Sequence, residues 1–458
     1  MPTPASARLQ AGTLRYSAWG LLAVVGWLLV GELGIAVRER WAQPIGLVVL
    51  RNVGASDTGV AMLLSTVPAL ISLLLVPAIG LRSDRCRSPW GRRRPFLLAS
   101  APLGAIAMLC VAAAPALAAA TDNLLGAWSP GRKTLDMAYF CLFWTVFEAA
   151  AMTTVALFSG LVNDVMPRGM LGRFYAAFRI VGLGVAILFN MSLFALADAW
   201  LVELLVAIAL VFGLSVPLMC LMVREGRYPA PDAMQDAIPT AAHGRLSLAR
   251  SQLAQCCAQR RHVWAFVAFM LAAVTFGPFN TFSQNYALAL GLSKAELGTL
   301  TASAYAVSIL TAFGIGWLSD RVGSVRVSAA TMALYCAIAL GGCLLVQGAA
   351  SFRCFYLAHV IVSGAYFTAA AAMPMDLFPR AEFVRYNSSK DIMVALANIL
   401  VGTCLGPLLD WSGHDYRLTL ACAALFSLLC LGCLGRLLAR PPSAAASGTL
   451  LPPVAGEA

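Results

Sequence analysis

Three ionisable side chains sit deep inside apolar stretches of the first half of this chain: Glu32, Glu148 and Arg179. Carrying such a group into a bilayer costs at least ~2.5–3.5 kcal/mol, so a role is expected of each. A carboxyl in apolar surroundings holds a proton, and an approaching guanidinium drives it off. Glu148 and Arg179 brought together would load and release a proton, with Glu32 as the competing site. The alternative is a static ion pair in which nothing titrates. The second half offers His359 as its buried base and otherwise relies on amides and hydroxyls. Asn280 and Gln284 are one helical turn apart with Asn285 beside them, and Ser363 and Tyr366 share a face with His359. In the first half Trp144 stands one turn before Glu148, and Asn190 projects from the face that carries Arg179. Neutral donors and acceptors beside aromatic rings suit a small, uncharged, hydroxyl-rich ligand. The same amides and His359 are also able to act simply as bonds between helices.

A second set of charges is written twice. Gly80-Leu-Arg-Ser-Asp84-Arg85 is echoed by Gly316-Trp-Leu-Ser-Asp320-Arg321. Asp164-Val-Met-Pro-Arg168 with Arg173 is echoed by Asp376-Leu-Phe-Pro-Arg380 with Arg385. Each aspartate follows an apolar run, at the C-terminal end of a helix, where the helix dipole disfavours an anion. Each must therefore be compensated by a following arginine or by the N-terminus of a neighbouring helix. Such contacts would form a gate at one membrane face and exchange partners as two halves rock. Solvated loop ends are the plainer reading, but they do not account for the repetition.

The elements that must position these residues follow from composition. Charged residues are 12% of 458, about half the 25% of an average soluble chain, and mean hydropathy is +0.79. This excludes an ordinary soluble enzyme, a disordered chain and a nucleic-acid binder. Twelve runs are long and apolar enough to cross a bilayer: 16–37, 58–81, 96–119, 137–161, 174–197, 200–223, 263–288, 296–318, 326–347, 353–375, 391–411 and 416–438. The Arg38-Glu39-Arg40 triplet closes the first run, which is read as a retained span. With both termini inside, 23 basic residues fall on the cytoplasmic side and 8 on the other, so the net charge of +11 reflects orientation in a membrane. The chain divides into an N-terminal six-helix bundle (1–223), a cytoplasmic linker (224–262), a C-terminal bundle (263–440) and a disordered cytoplasmic tail (441–458). Parallel six-span repeats place a ligand site between the halves near mid-membrane. Most of the 13 cysteines lie within apolar runs, no Cys-x-x-Cys occurs, and no metal site is expected. No nucleophile–base pair or phosphate loop stands in the short polar segments, so no catalytic residue is assigned and no cofactor beyond a coupling ion.

The first of the repeated loops is the longer one: Gly80-x-x-Ser83-Asp84-Arg85-Cys86-x-Ser88-x-x-Gly91-Arg92-Arg93-Arg94-Pro95-Phe96. It resembles the major facilitator superfamily loop in the form found in plant sucrose transporters and related animal sugar/proton symporters, members of the glycoside–pentoside–hexuronide group. Glu32 is similar to an acidic residue in the first span of the animal relatives. The resemblance implies the all-α major facilitator fold, two pseudo-symmetric six-helix bundles and proton-coupled uptake of a sugar or glycoside by alternating access. A monomer in a bacterial inner membrane is the expected setting. Two other readings stay open: export of an amphipathic metabolite, and a pigment-delivery or assembly role on the same scaffold.

Overall fold

The computed structural model describes residues 10, 11, 13–167, 171–226, 260–378 and 383–439. The linker beyond Gly226 and the tail from residue 440 therefore lie outside the described residues. Twelve described helices are long and apolar enough to cross a membrane. In chain order the spans are Ala18–Asn52, Asp57–Gly80, Arg94–Trp128, Arg132–Val165, Ala177–Leu196 and Leu201–Met222, then Arg260–Ala289, Lys294–Ser319, Ser324–Leu345, Ala349–Leu377, Ser389–Trp411 and Arg417–Leu438. They are numbered one to twelve below. Each matches an expected apolar run.

Span one differs in length. It continues as helix to Asn52, through Arg38, Glu39, Arg40 and Pro44, so the charged triplet lies within the helix and does not end it. Arg38 and Arg40, expected in an outer loop, are thereby placed at membrane depth.

Helix pairing repeats with a period of six. Spans one and six, three and four, three and six, two and four, and one and five pack together in the first half. Spans seven and twelve, nine and ten, nine and twelve, eight and ten, and seven and eleven do the same in the second. The charge repeat thus has a structural counterpart: one six-helix unit used twice. The halves meet along two seams, span two against span eleven and span five against span eight.

Both seams are built alike. Span two carries a π-helical turn at Met62–Thr66 and span five one at Phe189–Leu193. Such turns bulge the backbone sideways, and each bulge faces a glycine of the other half. A Cβ on Gly402 would lie 2.7 Å from Thr66 Oγ1, and one on Gly298 only 2.1 Å from the Asn190 carbonyl. Large exposed side chains ring the bundle, with Trp19, Trp128, Trp200 and Trp411 near span ends, where amphipathic rings favour the membrane–water boundary. We call the face at which span one begins and span twelve ends the terminal face, and the opposite one the far face.

Candidate functional site

Between the halves lies a cavity of about 590 Å³. Its first-half wall includes Glu39, Arg40, Gln43, Arg179 and Asn190, and its second-half wall includes Asn280, Gln284, Tyr305, Ser308, Tyr356 and Ser363. Of the side chains expected there, Arg179, Asn190, Asn280, Gln284 and Ser363 do line it. Trp144 does not: it is buried between Phe140 and Phe147, with its ring against Gly46. Asn285 lies towards the far face, where its amide oxygen accepts from Arg51 Nε at 3.2 Å. Tyr366 packs on Phe276 behind the wall. His359 is also behind it, 1% exposed, with its ring between Asn280 and Tyr335.

The expected Glu148–Arg179 pair does not form. Glu148 is paired with Arg38 of span one, both nearly dry. Arg179 instead donates to Thr368 Oγ1 of span ten at 3.2 Å, a bond that crosses between the halves. The pairing was hidden because Arg38 looked like a loop residue. In helical register it comes against span four, where Glu148 supplies the anion that a guanidinium needs in apolar surroundings. Glu32 is 2% exposed, and its Oε2 has no hydrogen-bond partner among the described residues. It faces span five, where a Cβ on Gly182 would lie 3.6 Å from its Oε1.

At the far face a polar cluster joins the halves. Asp410, near the end of span eleven, accepts from the backbone N–H of Asp57 at 2.8 Å and of Thr58 at 2.9 Å, and from Thr58 Oγ1 at 2.5 Å. It therefore caps the N-terminus of span two from the opposite bundle, where the helix dipole favours an anion. Asp57 in turn pairs with Arg51 and accepts from His414 Nδ1 at 2.6 Å and from the Tyr416 hydroxyl at 3.3 Å. The helices come close because Gly406 faces Thr58: a Cβ there would lie 2.6 Å from its Cα. Lys294 pairs with Asp198 across the second seam. Asp57, Asp410 and His414 have the composition of a metal site. Their four carboxylate oxygens, however, all accept from protein donors. None of this cluster was singled out in the sequence.

The comparisons with known proteins can be set beside this geometry. The model of the MFS/sugar transport protein family matches residues 51–406, most of the chain. The chain belongs to that family. It is 30% identical over 86 residues to the sucrose transport protein SUT1 of rice, in both the japonica and indica subspecies, a match that spans 18% of this chain and only 16% of the rice proteins. Among solved structures it resembles the nucleoside transporter NupG, with 14% identity over 92% of this chain and 100% of that one and a TM-score of 0.64. A bacterial homologue of the iron transporter ferroportin is similar too, at 14% identity over 92% of this chain and 100% of that one. Its inward-facing form gives a TM-score of 0.65 and its outward-facing form 0.58. At such identities the structures establish the fold alone, and it is the family match that makes this twelve-span chain an MFS transporter.

The expected gate residues of this MFS transporter lie at the terminal face. Arg92 Nε and Arg93 Nε donate to Asp164 at 3.0 and 2.7 Å. Glu225, missed in the sequence, accepts from the backbone N–H groups of Arg92, Arg93 and Arg94 at 2.9, 3.0 and 2.8 Å and so caps span three. The turn that allows this includes Gly91 at φ +106° with the Glu225 side chain against it, where a Cβ has no room. Arg94 Nε reaches the Cys220 carbonyl at 2.6 Å. In the second half the equivalent Asp376 accepts from Ser324 Oγ at 2.5 Å, at the start of span nine. Arg321 lies over the Trp317 ring. Tyr16 ties the segment before span one to the end of span four through the Val165 carbonyl (3.0 Å), and burial pushes its pKa up to about 12. Arg168 and Arg380, and the side chains of Asp84, Arg173, Asp320 and Arg385, lie outside the described residues. Gly80 meets no neighbour. Compensation of each described aspartate comes from a neighbouring helix start or the loop before it. The described bonds of Asp164 and Asp376 tie helices within one bundle.

Proposed function

We propose that this MFS transporter couples proton movement to uptake of a sugar or glycoside by alternating access. It would sit as a monomer in a bacterial cytoplasmic membrane, with its terminal face towards the cytoplasm. The observation that carries the reading is the cavity at the junction of the halves, to which both bundles present guanidinium, amide and hydroxyl donors beside the single carboxylate of Glu39. Such a lining suits a ligand rich in oxygen acceptors, and a family match and a short stretch of sucrose-transporter similarity support the same class.

The proton is assigned to Glu32. A proton on Glu148 would strand Arg38 in dry surroundings, a loss of about 3–5 kcal/mol for a buried pair. A proton on Glu32 Oε2 breaks no ion pair, since that oxygen has no partner among the described residues. Glu148 and Arg38 then hold spans one and four together while Glu32 titrates beside span five.

The test uses proteoliposomes, an imposed pH gradient and labelled mono- and disaccharides. Accumulation of one of them that collapses with an uncoupler is expected. Glu32→Gln should abolish accumulation yet keep sugar exchange without a gradient. Accumulation untouched by the uncoupler would overturn the coupling, and failure of every sugar to enter would overturn the substrate class.

A further inference from the structure

We infer that Tyr335, His359 and Asn280 form a hydrogen-bond relay of fixed polarity that makes Asn280 a pure donor to the cavity. The inference deepens the sugar reading above and rests on it for the ligand alone, because the relay itself is defined within the protein.

Tyr335 of span nine is fully buried, and the only partner of its hydroxyl among the described residues is His359 Nδ1 at 2.9 Å. A buried O–H left without an acceptor is costly, so the hydroxyl donates and Nδ1 keeps its lone pair. The ring hydrogen then sits on Nε2, which donates to Asn280 Oδ1 at 2.9 Å. That orientation turns the Asn280 NH₂ away from the ring. It makes no bond among the described residues, and Asn280 lines the cavity. A doubly protonated ring would leave the tyrosyl hydroxyl without an acceptor. It would also set a cation among Phe276, Phe279 and Tyr335 with no anion beside it. Phe279 meets the imidazole edge-on at 4.5 Å between centroids, which hinders a ring flip.

Most other polar groups on this wall differ in kind. Ser308 carries a hydroxyl that donates or accepts by turning, and Ser363 and Tyr356, already bonded to the Val360 carbonyl and to Thr301 Oγ1, keep lone pairs that accept from a ligand. Asn280 does not turn without breaking the relay. It therefore selects a ligand oxygen that accepts, and His359 and Tyr335 are the positioning residues that impose the selection.

Two measurements test this. Nitrogen-15 spectra of histidine-labelled protein, with His359 assigned by difference against His359→Gln, are expected to show the proton on Nε2 and a bare Nδ1. Tyr335→Phe removes the hydroxyl and should give a mixture of the two tautomers. A proton on Nδ1 in the parent, or an unchanged tautomer in Tyr335→Phe, would overturn the relay, and neither result depends on any ligand. In the second measurement, sucrose and its monodeoxy and monofluoro analogues compete for the cavity. Fluorine accepts but cannot donate, so at the position read by Asn280 the fluoro analogue should bind about tenfold better than the deoxy one. Asn280→Ala, which removes the donor, should lose that preference. Sucrose that fails to bind, with the tautomers as expected, would count against the sugar reading and leave the relay standing; no fluoro preference at any position in a parent that binds sucrose would overturn the selection.

Discussion

The two membrane faces of this transporter use similar residues for different ends. At the far face Asp410 reaches across from the second bundle to cap span two, and Lys294 meets Asp198 across the other seam. At the terminal face Asp164, Glu225 and Asp376 also sit at helix ends, yet every described bond they make stays within a bundle. Arg179–Thr368 also crosses between the bundles, from the cavity wall. The difference teaches where the moving joint is. Carboxylates at the terminal rim make each bundle a rigid body, whereas the far seam holds one body against the other.

Bulk placed in the far seam should break this arrangement most. Gly406→Leu has to push Thr58 backbone aside, and Gly298→Leu the Asn190 carbonyl. Overpacking of this kind costs about 1–3 kcal/mol or more, so uptake in proteoliposomes should fall by at least about tenfold. Gly80→Ala at the terminal face, which meets no neighbour, should leave it near the parent rate. Equal losses at the two faces would erase the distinction.

A smaller effect is expected from Asp164→Ala. It leaves Arg92 and Arg93 without their carboxylate at sites 12–19% exposed, a loss of about 1–3 kcal/mol once partial solvation is allowed for. Thermal unfolding in detergent should drop by a few degrees, while reagents added at the far face label the cavity as fast as in the parent. A change in that labelling would make Asp164 part of the moving joint after all.

Much of this was legible in the sequence. The twelve spans followed from hydropathy because apolar length is a local property, and the repeated Asp–Arg loops announced a doubled unit that helix pairing bears out. Asn280 and Gln284 stood out as a polar pair at helical spacing. The ion pairs were not legible. Arg38-Glu39-Arg40 reads as the end of a span because hydropathy counts charge and cannot see the neutralising Glu148, 110 residues away. Asp57 and Asp410 carried no signal in the sequence, since the capped N-terminus and its capping carboxylate come from different bundles. Trp144 and Tyr366 were drawn towards the cavity by their helical spacing from Glu148 and His359, whereas packing against Phe140, Phe147 and Phe276 decided their place.

The Asp410 cap on span two offers the sharpest trial. A cysteine introduced at Gln284 in the cavity can be labelled by a membrane-impermeant maleimide added at the far face, with the rate read as the increment over the parent chain. Asp410→Ala removes three hydrogen bonds to a carboxylate, each worth about 1.5–3 kcal/mol. Even a fraction of this shifts the balance between closed and open far faces by about tenfold. The labelling rate should rise by that factor or more. An unchanged rate in a folded Asp410→Ala protein would mean that the far seam is not what holds the two bundles together.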